Sequence, residues 1–178
     1  MNVSTRNFGK SFREFHVRSG DGVSSMTYEP TIPSNFLLGT DQGGIVKCRL
    51  QSKQTNMNNI LLDSWTLSYP CKVLSVERNP FYPKYFLTVT GQCSKIWCED
   101  IKTEPIISIS PARSRLTSAA WCSSRISMFF TANNQGFLEI RDFLISHSSP
   151  VLQIKIADYA LHCVKVLIFY TFTFNISI

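Results

Sequence analysis

Several features are missing from this 178-residue chain, and each absence removes a class of function. The N-terminal stretch MNVSTRNFGKSFREF has no apolar core of signal-peptide length, so an intracellular protein is expected. No run approaches the ~20 consecutive apolar residues that a membrane-spanning helix needs. The terminal VKVLIFYTFTFNISI is too short and too interrupted to be one. Lys and Arg outnumber Asp and Glu by 18 to 12, giving a formal charge of +6 and a pI near 9.1. Yet the cations are scattered, with no dense block and no Arg/Gly or Arg/Ser tract, which speaks against a nucleic-acid partner.

Catalytic signatures are missing too. There is no Gly-x-Ser-x-Gly elbow and no carboxylate pair near a histidine. Gly39 to Gly44, GTDQGG, lacks the Lys-Ser/Thr ending of a phosphate cradle and reads as a hairpin loop. No C-x-x-C pair occurs among Cys48, Cys71, Cys93, Cys98, Cys122 and Cys163. His162 and Cys163 are adjacent, so on a strand they point to opposite faces, which does not build the four converging donors of a zinc site. Neither His16 nor His147 improves this. The expectation is no enzyme, no metal and no cofactor. The cysteines read as reduced, mostly buried thiols, and the sequons at Asn2 and Asn175 carry no glycosylation meaning in that setting.

What the chain does have is an apolar content of 44%, with 13 Phe among its aromatics and only 17% charged residues, a composition for a packed, strand-rich core. Its best-organised stretch is Val73 to Asp100, VLSVERNPFYPKYFLTVTGQCSKIWCED. Short runs rich in Val, Thr, Phe and Ile are separated by Asn79, Pro80 and Pro83 and by Gly91, the pattern of consecutive strands joined by turns. The pattern recurs. Shifting it back by 50 positions lays Val73, Pro80, Pro83, Phe86 and Thr90 on Val23, Pro30, Pro33, Phe36 and Thr40. Shifting it forward by 44 lays Phe86 on Phe130 and Ile96-Trp97-Cys98 on Ile140-Arg141-Asp142. In this alignment ten positions separate Phe36, Phe86 and Phe130 from Val46, Ile96 and Ile140.

Residues 1–21 read as a polar, irregular leader, with Phe8, Phe12 and Phe15 tucked against the first repeat or lining one helical face. The repeat then divides the rest into units over 22–67, 68–112 and 113–158, and 159–178 begins a further unit with an atypical apolar tail. Each complete unit carries four predicted strands. Glycine-containing hairpin loops close the second and third strands at Asp41–Gly44 and Asn133–Gly136, where glycine supplies positive φ. Trp65, Trp97 and Trp121, one per unit, read as packing anchors. Four strands in about 40 to 50 residues is the period of a β-propeller blade. The expected fold is therefore all-β: about three four-stranded blades and the start of a fourth, with the ring not closed. No returning hairpin is expected after the strand over Leu161–Val166, so the chain reads as part of a longer one.

The repeat length and the Ile96-Trp97 strand ending resemble WD repeats. More specifically, Arg78-Asn79-Pro80-Phe81-Tyr82-Pro83-Lys84 with Phe86-Leu87-Thr88-Val89, KIWCED, LTSAAW and MFFTANNQGFLEIRDF resemble the dynein intermediate chains, within them the outer-arm axonemal branch. That resemblance implies a non-catalytic scaffold in a ciliary axoneme. Its propeller would bind a dynein heavy chain and a second intermediate chain, with light chains alongside and microtubules met through the complex. Neither nucleic acid nor membrane would be a partner. The residues expected to carry the blade pattern are Phe36, Gly39, Asn79, Pro80, Pro83, Phe86, Gly91, Ile96, Trp97, Phe130, Gly136, Ile140 and Asp142. The chain departs from the family where Lys47-Cys48, Trp97-Cys98 and Arg141-Asp142 stand for Trp-Asp and where no Gly-His opens a unit. The polar lock of each blade is thus incomplete, and apolar packing between blades is expected to dominate. A WD-repeat adaptor of another intracellular complex shares the fold, and a nucleic-acid-binding propeller is a more distant alternative.

Overall fold

A computed structural model describes residues 22–51, 59–66, 71–101, 103–110, 114–167 and 173–177. The expected leader over 1–21 lies outside them. The described residues contain no helix and fourteen strands. The first sheet joins β1 (Val23–Tyr28), β2 (Asn35–Thr40), β3 (Gly44–Gln51) and β4 (Asn59–Thr66) in chain order. The second joins β5 (Val73–Arg78), β6 (Tyr85–Thr90), β7 (Ser94–Cys98) and β8 (Ile107–Ile109). The third joins β9 (Leu116–Trp121), β10 (Met128–Asn133), β11 (Phe137–Asp142) and β12 (Leu152–Lys155). Every neighbouring pair is antiparallel. First strands lie side by side, β1 on β5, β5 on β9 and β9 on β13 (Cys163–Leu167), as blades do around a propeller axis. The ring is open.

One expectation about the end of the chain is overturned. β13 is followed by a returning strand, β14 (Thr173–Ser177), antiparallel to it with Val164 opposite Ile176 and Val166 opposite Phe174. The Thr-Phe-Thr-Phe-Asn-Ile alternation is strand-compatible. It reads as one continuous run because no Gly or Pro punctuates it, and residues 168–172, between the strands, lie outside the described residues.

The repeat register also needs correction. Phe36 pairs with Tyr28 and Cys48, Phe86 with Arg78 and Trp97, and Phe129 with Trp121 and Arg141. The third equivalent of Phe86 is therefore Phe129, while Phe130 takes the place of Leu37 and Leu87. Likewise Ile96 and Ile140 correspond to Lys47, not to Val46. One residue fewer separates Val89 from Ser94 than separates Gly39 from Ile45 or Ala132 from Leu138, so the middle turn breaks the spacing. A one-residue slip reverses the face of every side chain, and the face decides the neighbour. Phe86 and Trp97 pack towards the first sheet with Leu37, Ile45, Val73 and Val76. Phe129 and Trp121 pack towards the second, with Leu87, Val89, Ile96 and Ile109. Phe130, with Ala132 and Leu138, faces the other way, onto Leu161 and Val164.

Turn chemistry follows turn length. Gly43 and Gly136 both adopt φ of 83° in the longer turns, whereas Gly91 in the short one has no positive φ. The residue before each turn ties it down by a side-chain oxygen: Thr40 accepts from Gly44 N, Thr90 from Gln92 N and Cys93 N, and Asn133 from Gln135 N and Phe137 N. Gly39 is required for a different reason. A Cβ there would lie 2.6 Å from a Val73 methyl and 2.5 Å from Ser25 Oγ, so the first two sheets meet backbone to side chain at this point.

Apolar clusters fill the junctions as expected, and polar links cross them as well. Ser24 Oγ donates to Val73 O at 2.5 Å, Ser75 Oγ to Ala119 O at 3.4 Å, and Thr117 Oγ1 to Leu161 O. The remaining half of the Trp-Asp signature acts within its own sheet, where the Trp97 indole donates to Thr88 Oγ1 at 2.9 Å with both residues buried. Glu99 joins the first two sheets by accepting Lys47 Nζ and by an ion pair, at 2.6 Å, with Arg78 Nη1. Glu77 holds Trp121 at two points: its carboxylate accepts the backbone N–H and its carbonyl the indole N–H, each at 3.2 Å.

Burial raises the Glu77 carboxyl from 4.5 to about 7, against the opposing pull of the Trp121 N–H and Lys165. Because the folded value lies above the unfolded one, its contribution to stability is complete below pH 4.5 and is lost as pH rises through about 7. Converted at 1.36 kcal/mol per unit, the full effect is about 3 kcal/mol. Glu77→Gln, which keeps an acceptor for Trp121, should therefore have the higher urea midpoint at pH 8, and the gap should close by pH 4.5. A gap that does not change with pH would refute this account.

Candidate interaction surface

The described residues contain no group of three or more His, Cys, Asp or Glu side chains placed to hold a metal ion. The six cysteines are free. Cys48, Cys98 and Cys122 are buried and the other three half-buried, so burial is less complete than expected. Burial pushes the Cys48 thiol up to about 12, which keeps it protonated and unreactive at neutral pH.

The residues expected to carry the blade pattern fall into two groups. Phe36, Phe86, Ile96, Trp97 and Phe130 are buried apolar wall residues of the sheets, and Ile140 is half-buried beside them. Gly39, Gly91 and Gly136 lie at close approaches or turns, as described. The others organise loops. Asn79 is buried, and its Oδ1 accepts Phe81 N and Tyr82 N at 2.9 and 3.1 Å. Its Nδ2 reaches across to Ile126 O of the third sheet at 3.0 Å. Pro80 is exposed, and the carbonyl of half-buried Pro83 accepts Arg78 Nη1. Asp142 is buried at the end of β11, where its Oδ1 accepts Leu144 N at 3.1 Å.

These anchors hold a surface that sequence reasoning did not single out. The β5–β6 loop turns two large rings outward, Phe81 at 46% exposure and Tyr82 at 57%, with Tyr85 edge-on to Tyr82. The β9–β10 loop brings Ile126 and Arg125 beside them, and Leu144, 74% exposed, arrives from the loop after β11. Together they line an open groove of about 550 Å³. Exposed apolar residues that cluster in this way mark contact sites rather than random surface. A signal was present in the sequence: Phe81-Tyr82 is flanked by Pro80 and Pro83, which stop a strand and force the pair into a turn. The convergence with Arg125 and Leu144, distant in sequence, left no such trace.

Comparison with known proteins bears on the whole chain. The family model for the dynein axonemal intermediate chain 3 WD40 domain matches residues 4–175. Dynein intermediate chain 3, ciliary, from Heliocidaris crassispina is 36% identical over 150 residues, covering 84% of this chain and 25% of that protein. Human dynein axonemal intermediate chain 2 is 37% identical over 145 residues, covering 82% and 24%. The 70 kDa intermediate chain of the flagellar outer arm of Chlamydomonas reinhardtii is 33% identical over 132 residues, covering 72% and 22%. The chain thus spans about a quarter of the length of these relatives. Among solved structures, Raptor from Chaetomium thermophilum superposes with a TM-score of 0.67 over 86% of this chain and 14% of its own, at 14% identity, a likeness of fold alone.

The groove depends on Asn79. Asn79→Ala removes the acceptor of two loop amides and a donor to Ile126 O, three part-buried hydrogen bonds held by one buried side chain. A loss of about 2–3 kcal/mol is expected, read as a lower urea midpoint at unchanged m-value. Loss of loop order should accompany it, seen as faster amide exchange at Phe81 and Tyr82.

Proposed function

The chain belongs to the WD-repeat family of axonemal dynein intermediate chains, and from that premise we propose that it is a non-catalytic scaffold subunit of an outer-arm axonemal dynein. In this reading its propeller surface binds a dynein heavy chain and a partner intermediate chain, and the complex, with light chains alongside, meets the microtubules of a cilium or flagellum. The observation that carries the proposal is identity of 36–37% to ciliary and axonemal intermediate chains over more than four-fifths of this chain. The geometry agrees with it. The side chains with chemical reach, such as Glu77, Glu99 and Asp142, are engaged in holding sheets and loops together. The loop end presents exposed aromatic and aliphatic side chains beside a few charged ones, a surface suited to another protein. The residues of the blade pattern serve, in this proposal, as supports of that surface and not as contacts themselves.

The test is co-precipitation from ciliated cells with the tagged full-length protein. Heavy chain and a second intermediate chain are expected in the washed precipitate in comparable amounts. A precipitate that contains neither sinks the proposal.

A further inference from the structure

The groove between the β5–β6 and β9–β10 loops has one charged lining residue, and the way that residue is held is informative. Arg125 is 58% exposed at the side chain, and Asp142, 1% exposed, lies below it with Oδ2 at 3.7 Å from Nη2. That separation is too long for a hydrogen bond, and Asp142 Oδ2 has no hydrogen-bond partner. Among the described residues the Arg125 side chain donates no hydrogen bond. A buried carboxylate therefore attracts the guanidinium to the groove by charge without occupying its donors. The next cation on this rim, Lys84, is paired with Asp100. The rest of the lining is mainly apolar, with Phe81 and Tyr82 from one loop, Ile126 from the next and Leu144 from the loop after β11, and Ser124 and Ser127 complete it.

A planar cation with free N–H groups at the edge of an apolar trough matches a carboxylate next to a bulky apolar side chain. The guanidinium fork suits a carboxylate bidentately, and a charge-assisted pair shielded by aromatic rings is stronger than one in open water. A phosphate group, with close to two negative charges, would call for more than the single available cation. We propose that the groove receives a segment of a partner protein in which an aliphatic or aromatic residue lies within about one helical turn of an Asp or Glu. The apolar side chain would rest on Phe81, Tyr82 and Ile126, and the carboxylate would take the donors of Arg125. This rests on the scaffold reading and specifies the chemistry of one of its contacts.

The test uses the purified full chain, panned against a phage library of random 12-residue peptides. Selected peptides are then synthesised and measured by fluorescence anisotropy. Enriched sequences should combine a large apolar residue with Asp or Glu no more than four positions away. Binding should fall about tenfold or more in Arg125→Glu and in the double variant Phe81→Ser/Tyr82→Ser, since a few central aromatic and arginine side chains carry most of such an interface. Arg125→Lys, which keeps the charge and loses the fork, should fall between. All the substituted side chains are exposed in part, and unchanged melting curves will establish that the variants fold. Enrichment without acidic residues, binding indifferent to these substitutions, or no enrichment at all would overturn the proposal. Heavy-chain co-precipitation is a separate readout. A wild-type chain that brings down no heavy chain removes the scaffold reading whatever the peptides do. A wild type that does, with peptides indifferent to Arg125, removes the groove proposal alone.

Discussion

Each of the three four-stranded sheets carries apolar side chains on both faces, so such a sheet needs a neighbour on either side. The second sheet shows the rule most fully: Phe86 and Trp97 point back to the first sheet, and Leu87, Val89 and Ile96 point on to the third. Hydrophobic burial sets the order of magnitude, at ~25 cal/mol per Å² removed from water, and it is non-directional. Direction comes from the strand period of two. It sends alternate residues to alternate junctions and makes register, not composition, the quantity the sequence has to encode.

The polar groups serve a second purpose. An apolar junction tolerates sliding, whereas a hydroxyl donating to a carbonyl of the next sheet does not. Ser24, Ser75 and Thr117 supply such links at successive junctions, all from first strands near the axis. The ionic links lie further out: Glu99 collects Lys47 and Arg78 between the first two sheets, and Glu139 holds Arg141 within the third. Buried pairs of this kind add little net stability over an apolar core of the same shape, and breaking one by removing a partner costs more than the pair itself contributes.

Much of the fold was legible. Strand runs bounded by Pro, Asn and Gly, repeated at near-constant spacing, revealed the sheets and their order, because turns and alternation are local properties of a chain. What was lost is equally physical. Phe129 and Phe130 are adjacent and chemically identical, so the sequence carries no mark of which one matches Phe86, and the one-residue difference in turn length conceals the answer. The β14 strand was missed because the end of the chain lacks the punctuation on which turn recognition depends. The groove was invisible for a third reason. Asn79 was singled out as part of a loop pattern, but its bond to Ile126 joins residues 47 positions apart, and Arg125 gains its setting only from Asp142 beneath it. Non-local convergence is not written in any window of sequence.

The turns at the opposite end differ in a way that matters to anyone attaching a probe to this protein. A Cβ on Gly136 would lie 1.9 Å from Ala157 O, and the Gly136 carbonyl accepts both Ile156 N and Ala157 N. That turn is wedged against the chain on its way to β13. At Gly91, by contrast, the nearest atoms to such a Cβ belong to the flexible side chain of Arg115 at 3.7 Å, and the neighbouring Gln92 is exposed. The shortest of the three hairpins, though its Gly91 carbonyl accepts Leu116 N, therefore has room for an added side chain, while the third is a doorstop against the chain leading to the next blade.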